Sequence, residues 1–589
     1  MAQITPNPEV DVKSLKPFQK FIMTIGNLPT SYLESLTYAE LVMWFCNYLQ
    51  ETVIPTVNNN GGAIEELQEL YVELKSYVEN YFDNLDVQEE INKKLDDMVE
   101  SGVLQEIVAD YLNSKAIFGF DNVESMKNST NLINGSYAQT LGYYEKNDGG
   151  GALYKIREIT NNDVVDDMFI VRLQNNDLIG ELIINDKVNV KQVGSYGDNI
   201  HDDSLIFQKA LNYCNTNHYN LYIPKGYYIL NSAITLLSNT MISIYGENNS
   251  QYWGDNSLHA TKIITTNGFM KGNSTDAETL TIFHGNIKNI YFQGSNTDNL
   301  FANISFSGCE ISNLTTLNYK NVFYQSIFSN VSEIHHNQFV SCYESFFNRN
   351  STSSAISDSW IHHNYINGKP QTNACMIKAR FMATSQFHDN YVDFFKYILY
   401  YDTGLITWFN SYNNIYDYCF RIANRNCSNI ECNNDSFMHF SNHYESQTGF
   451  TFTNEETTEY GPFSNAYNWV RLKVTNCKIS NSDYFFYCST NNPLNFKSQG
   501  NIPNYYIFNN NVINPSTYNP NKLYDYLIYN QQDGIYMSID NNNPSIETDI
   551  TFSTTRCKYY NNQQLIYDNI LLRFFNNKLY KTDGTEYTQ

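Results

Sequence analysis

Basic residues are scarce: the 589-residue chain carries 37 Lys and Arg against 61 Asp and Glu, a net charge of −24. A surface so poor in cations cannot displace counterions from a phosphate backbone, which excludes a general nucleic-acid binder. It also disfavours adsorption to an anionic lipid surface. Long apolar runs are missing as well. LVMWFCNYL at 41–49 is too short to cross a bilayer, so no membrane span is expected. The first ten residues, MAQITPNPEV, lack a basic n-region, so no secretory signal is expected. The eleven cysteines contain no CxxC pair, and the five-residue step from Cys427 to Cys432 matches no standard zinc spacing. They read as buried thiols of a protein made in a reducing cytosol. What is abundant is aromatic: 48 Tyr and 36 Phe need burial, which rules out general disorder.

The chain divides by pattern. Residues 1–60 read as a polar leader and helix, with Leu41, Trp44, Phe45, Tyr48 and Leu49 on one face before the breaker NNNGG. Residues 61–115 read as a coiled coil. Ile64, Leu67, Tyr71, Leu74, Val78, Tyr81 and Leu85 alternate steps of three and four, and Ile91, Leu95 and Met98 continue the stripe. A seam this narrow points to oligomerisation rather than to an intrachain hairpin. Residues 116–190 lose the helical period and read as a small β-rich module. Residues 522–589, punctuated by QDG, NNNP and TDGT, read as a C-terminal β module.

Residues 191–521 carry an internal repeat. The segments KNIYF, SNLTTL, HHNQF, HHNYI, HDNYV and YNNIY align on Asn289, Asn313, Asn337, Asn364, Asn390 and Asn414, spaced 24, 24, 27, 26 and 24, with Asn434 beyond. That period is one turn of a parallel β-helix with three short strands per coil; a propeller blade is nearer ~40 residues. Asn recurs at one corner because it tolerates left-handed backbone and its amide can bond the next coil. The open apolar end needs a cover. The helix at Ser204–Cys214, with apolar Leu205, Ile206, Ala210 and Leu211, suits that task. The fold class is therefore mainly β: a right-handed parallel β-helix with an N-terminal helical and coiled-coil anchor and a small C-terminal β module.

Residues at equal repeat positions stack in columns ~4.8 Å apart. Two before the repeat Asn stand His335, His362 and His388; one before, His336, His363 and Asp389; four before, Glu333, Trp360 and Gln386. Alternation turns the apolar residues between them, Ile334, Ile361 and Phe387, inward. One outward face thus offers imidazoles beside Glu333, Asp389 and Asp393, a set suited to general acid–base work on a phosphodiester or glycosidic bond. The candidate catalytic residues are His335, His362, His388, Glu333, Asp389 and Asp393; the candidate substrate-binding residues are Trp360, Arg349, Lys378, Arg380 and Trp408. Outward histidines in such a body can also merely hydrate or stack. Column spacing alone makes no tetrahedral site, so no metal ligands are assigned and no cofactor is expected, with a bound divalent cation left open.

Two resemblances add to this. Tyr196-Gly197, Asp202-Asp203, Gln208 and Pro224-Lys-Gly226-Tyr-Tyr228 resemble the opening Y-G…D-D…Q…P-x-G-x-Y pattern of pectate-lyase-like β-helices, with the Y-G-A-x-G-D-G part shortened. WIHHN at 360–364 is similar to their W-I-D-H-N corner; His362 stands where pectate lyases carry a calcium-binding Asp, which speaks against a calcium-dependent lyase. LTYAELVMWFCNYLQETVIPTVNN, the coiled coil and DGGGALYKI resemble tail appendages of short-tailed phages of Gram-positive bacteria. That resemblance implies a homotrimeric receptor-binding tail spike, made in the host cytoplasm and carried on the virion tail. It would dock to tail or collar proteins and bind, and depolymerise, a wall teichoic acid or other surface polysaccharide. The alternatives are an adhesin of the same fold without turnover and a secreted polysaccharide lyase, the latter disfavoured by the coiled coil.

Overall fold

The structure, a computed structural model, describes residues 88–103, 116–248, 260–274, 279–349, 355–369, 374–379, 382–383, 385–400, 408–423 and 429–440, and segments between 463 and 581. The helical region of 1–60 and the seam at Ile64–Leu85 lie outside the described residues. Of the continuing stripe, Gln88–Glu100 is an α-helix.

Strict alternation of burial generates the body. Glu333–His335, Trp360–His362 and Gln386–His388 each bury only the middle residue, Ile334, Ile361 or Phe387. Each strand pairs in parallel with its counterpart one coil away, so like positions stack. The chain thereby winds into a parallel β-helix with long walls of 15, 12 and 8 strands. Between Thr281 and Ala383 a fourth wall of five short strands appears where three strands per coil were expected. Left-handed residues account for it: Asn303 (φ 57°) and Gln325 (φ 49°) bend what would be one strand into two.

The interior is stacked phenyl rings and branched aliphatics. Phe301 lies 5.3 Å from Phe323 and Phe306 lies 5.3 Å from Phe328, each pair nearly parallel. Burial of each ring is worth about 1.5–3 kcal/mol. The same core runs on into the mixed five-stranded sheet formed by Ile117–Phe120, Tyr137–Thr140, Leu153–Glu158, Ile170–Arg172 and Leu178–Leu182. The seven described cysteines are buried. No described helix is long and apolar enough to cross a membrane.

The open end is covered by the helix Ser204–Asn217, with Ala210 and Leu211 buried and Ile206 packed on the core as expected, and Leu205 turned out instead. Phe207, Ala210, Leu211 and Cys214 are buried at helical spacing, whereas Leu205 is 63% exposed. The motif residues around this helix hold the cover in place. The Asp203 carboxylate accepts from the amides of Tyr196 (2.7 Å) and Gly197 (3.1 Å). Gln208 bonds both the amide and the carbonyl of Thr235, pairing with an otherwise bare strand edge. The Tyr228 hydroxyl donates to the Pro224 carbonyl at 2.8 Å. Gly226 is needed because a Cβ there would stand 2.9 Å from the Gly197 oxygen.

At the other end, parallel stacking continues through Asn504–Asn509, Ile535–Asp540 and Lys558–Asn561, past residue 522. Antiparallel pairs then close both walls, Lys558–Asn561 with Gln564–Asp568 and Asp549–Phe552 with Leu572–Phe575.

Candidate functional site

One corner of the body, between the 15- and 12-stranded walls, does two jobs on adjacent residues. The first position is left-handed: Asn289, Asn313, His336, His363, Asp389, Asn413 and Asn434 all have φ between 53° and 61°. The next residue turns inward. There the amides of Asn337, Asn364, Asn390 and Asn414 form a buried ladder: each Nδ2 donates to the next side-chain oxygen at 2.9–3.1 Å, ending on Asp435. Each Nδ2 also donates to a backbone carbonyl one coil back, as Asn364 does to Ile334 at 2.8 Å. Burial pushes the Asp435 carboxyl up to about 7, against the hydrogen bonds from Asn414 and Ser411. The sequence alignment on a single Asn therefore mixed two positions: Asn289, Asn313 and Asn434 occupy the left-handed slot, the other four the ladder.

Outside this corner stand the imidazoles. His335, His362 and His388 are in register, with ring centroids 5.0 and 4.8 Å apart and planes within 6°. Tyr412 extends the stack at 4.5 Å from His388. Beside it runs a second column, His336 on His363 at 5.1 Å. The columns are cross-linked: His335 Nδ1 lies 2.7 Å from His336 Nδ1, His362 Nδ1 lies 2.8 Å from His363 Nδ1, and His388 Nδ1 lies 2.7 Å from Asp389 Oδ2. Burial, then the neighbouring rings led by His388 and His335, pulls His362 down to about 4, so it holds a free lone pair at neutral pH. Asp389 stays below its ordinary value despite burial, because His388 and Asn413 donate to it.

Carboxylates flank one end. Glu310 Oε1 is 3.1 Å and Glu333 Oε2 3.9 Å from His335 Nε2, and Lys288 holds the other oxygen of Glu310 at 2.6 Å. Glu310 was missed in the sequence. Aligning Asn313 with the ladder, one residue out of register, put Cys309 where Glu310 belongs; the parallel between EIS at 310–312 and EIH at 333–335 is the signal.

The other sequence candidates separate. Trp360 is in register with Glu333 and Gln386 and 36% exposed. Trp408, half exposed, stands two residues before Asn410 of that outer column. Asp393 does not join the histidines. Past the corner, on the 12-stranded wall, it is buried and accepts from Asn367 Nδ2 (2.7 Å) and the Tyr365 hydroxyl (3.1 Å). Burial, and the charge of Asp417 stacked one coil on, push its carboxyl up to about 7. Asp417 is itself held by the Tyr391 hydroxyl (2.9 Å) and His439 Nδ1 (2.6 Å). Arg349 is only 1% exposed, with its guanidinium donating to the Gln325 carbonyl, so it cannot meet a polymer outside. Lys378 lies on the 8-stranded wall, 3.7 Å from Glu344 and over the Tyr400 ring, away from the histidine columns. Arg380 lies outside the described residues.

The stacked coils and the capping helix define a parallel β-helix. Residues 187–391, about a third of the chain, match the family described as rhamnogalacturonase A/epimerase, pectate lyase-like. No curated protein sequence matches the chain. Among solved structures, the chain is similar to the catalytic domain of Agl-KA (14% identity, TM-score 0.39, covering 62% of this chain and 67% of that one). It is also similar to the Acinetobacter baumannii phage AM24 tailspike protein (11%, TM-score 0.38, 73% and 65%). A third is tailspike protein gp49 of Acinetobacter baumannii bacteriophage Fri1, a capsular polysaccharide depolymerase (12%, TM-score 0.40, 77% and 77%). The chain spans about two thirds of the length of the first two. These likenesses are too loose to carry residue roles or a substrate across.

Proposed function

We propose that the protein is a receptor-binding tail spike whose β-helix binds and depolymerises a surface glycopolymer of a Gram-positive host, teichoic acid being the substrate class that best suits an imidazole-rich face. The observation that carries this reading is the outward stack of His335, His362 and His388 with carboxylates at one end and an exposed Trp360 beside it. His335 takes the proton of the attacking water as its oxygen bonds to the polymer and returns it to the leaving oxygen as the ester or glycosidic bond breaks, Glu310 and Glu333 stabilising the imidazolium in between. Trp360 and Trp408 offer flat apolar surfaces to the sugar rings. The seam at Ile64–Leu85 supports an oligomer, and the N-terminal resemblance supports a homotrimer attached to the virion tail.

The net charge of −24 opposes long-range attraction of an anionic polymer. Screening within ~8 Å at physiological salt leaves the local face to decide binding. Adsorption without turnover is the second reading, favoured by the mutual engagement of the imidazole Nδ1 atoms. Incubation with purified wall teichoic acid, followed by mass spectrometry of soluble fragments, separates the two. Glycerol- or ribitol-phosphate fragments mean hydrolysis, and intact polymer co-sedimenting with the protein means an adhesin. Light scattering should return the mass of three chains; the mass of one would remove the trimer.

A further inference from the structure

The left-handed corner departs from Asn on three consecutive coils, at His336, His363 and Asp389, where Asn313 precedes and Asn413 follows. The departures fall where donor atoms accumulate. His363, His388 and Asp389 each bring a ring nitrogen or carboxylate oxygen to within 4.8 Å of the others. His363 is exposed, and the other two are half-buried.

We propose that His363, His388 and Asp389 bind a divalent transition-metal ion of the zinc class. Two imidazoles and a carboxylate are the donor set such an ion prefers over calcium or magnesium, which take oxygen ligands. Tetrahedral binding needs donors about 3.3 Å apart. The pair at His388 Nδ1 and Asp389 Oδ2, 2.7 Å apart, already shares a proton that the ion replaces. The remaining contraction falls on His363, the exposed member of the three.

Each ligand also has an outer partner that fixes its orientation. His363 Nδ1 meets His362 Nδ1 at 2.8 Å, Asp389 is bonded by Asn413, and the His388 ring is held between His362 and Tyr412. Such outer partners are what distinguish a built metal site from a chance cluster. Three protein ligands leave a fourth position to water, the arrangement of a reactive rather than a structural zinc site. The use made of the ion rests on the proposed hydrolysis; the binding does not.

The test is equilibrium dialysis of untagged, EDTA-treated full-length protein against Zn2+ at pH 7.5, with Co2+ absorption as a second readout. The substitutions His363→Asn and Asp389→Asn restore the residue that neighbouring coils carry at this corner, so folding is retained. One tightly bound ion per chain is expected, weakened at least tenfold by either substitution and unchanged by His201→Ala, which removes a distant His–Asp pair. Zn2+ held no more tightly by the wild type than by His363→Asn overturns the inference, whatever the protein does to polymer. Tight, His363-dependent binding without cleavage supports the site and counts only against the hydrolytic reading.

Discussion

Asn313 and His363 occupy the same corner two coils apart, with φ of 54° and 53°, yet one is the residue the backbone prefers and the other is not. The backbone demand is constant along the body, and Asn meets it on the coils of Asn289, Asn313, Asn413 and Asn434. Over His336, His363 and Asp389 the demand persists while the side chains change to groups that titrate and coordinate. Next to this variable slot the ladder position barely changes: Asn337, Asn364, Asn390 and Asn414, then Asp435. The inner position holds the coils together, and the outer one is free to carry chemistry. The cap around Ser204–Asn217 makes the same point from the other side: its motif residues Asp203, Gln208 and Tyr228 are bonded to backbone and hold the cover rather than carry chemistry.

The sharpest way to break this comparison is at the ladder. Asn364→Ala removes the acceptor of the Asn337 amide and the donor to the Ile334 carbonyl, so it should cost about 2–4 kcal/mol in urea unfolding. A loss below about 0.5 kcal/mol would mean the ladder is incidental. At the left-handed slot, Asn313→Ala should cost about 1 kcal/mol, because alanine resists that backbone. His363→Asn in the same assay should stay within about 0.5 kcal/mol of wild type. A penalty as large as that of Asn313→Ala would make the imidazole columns a packing device and collapse the distinction.

The two polar columns should also respond to pH with opposite sign. Asp393, raised from 3.8 to about 7, keeps its proton in the folded protein where the unfolded chain has lost it. Its contribution is full below pH 4 and disappears as pH rises through 7, and Asp393→Asn should flatten that decline. His362, lowered from 6.5 to about 4, resists protonation that the unfolded chain accepts. Its contribution is full above pH 6.5 and disappears as pH falls through 4, and His362→Gln should flatten that limb. Between pH 4 and 7 the two substitutions should change the slope of stability against pH in opposite senses, and a change in the same sense would contradict the assigned environments.

Much of this body is legible in the sequence because parallel stacking makes the repeat self-evident. A period near 24 residues and the inward Ile334, Ile361 and Phe387 suffice to place the histidines on one outward face. The exact register was not legible, since Asn serves both the left-handed slot and the ladder, and a one-residue slip hid Glu310. Asp393 follows Asp389 by four residues, but the intervening corner turns it onto another wall. Arg349 reads as surface charge, yet all five residues of Ser345–Arg349 are buried, and only the packing outside that wall reveals it. The fourth wall depends on left-handed turns at Asn303 and Gln325, which no periodicity announces.

The central claim, that the histidine face works on a polymer, is tested most directly by comparing fragment release from wall teichoic acid by the wild type and by His335→Gln. The account predicts phosphate-bearing fragments from the wild type and a loss of about 10²–10⁴-fold in the variant, with thermal unfolding unchanged. Equal fragment release by the two proteins would contradict it.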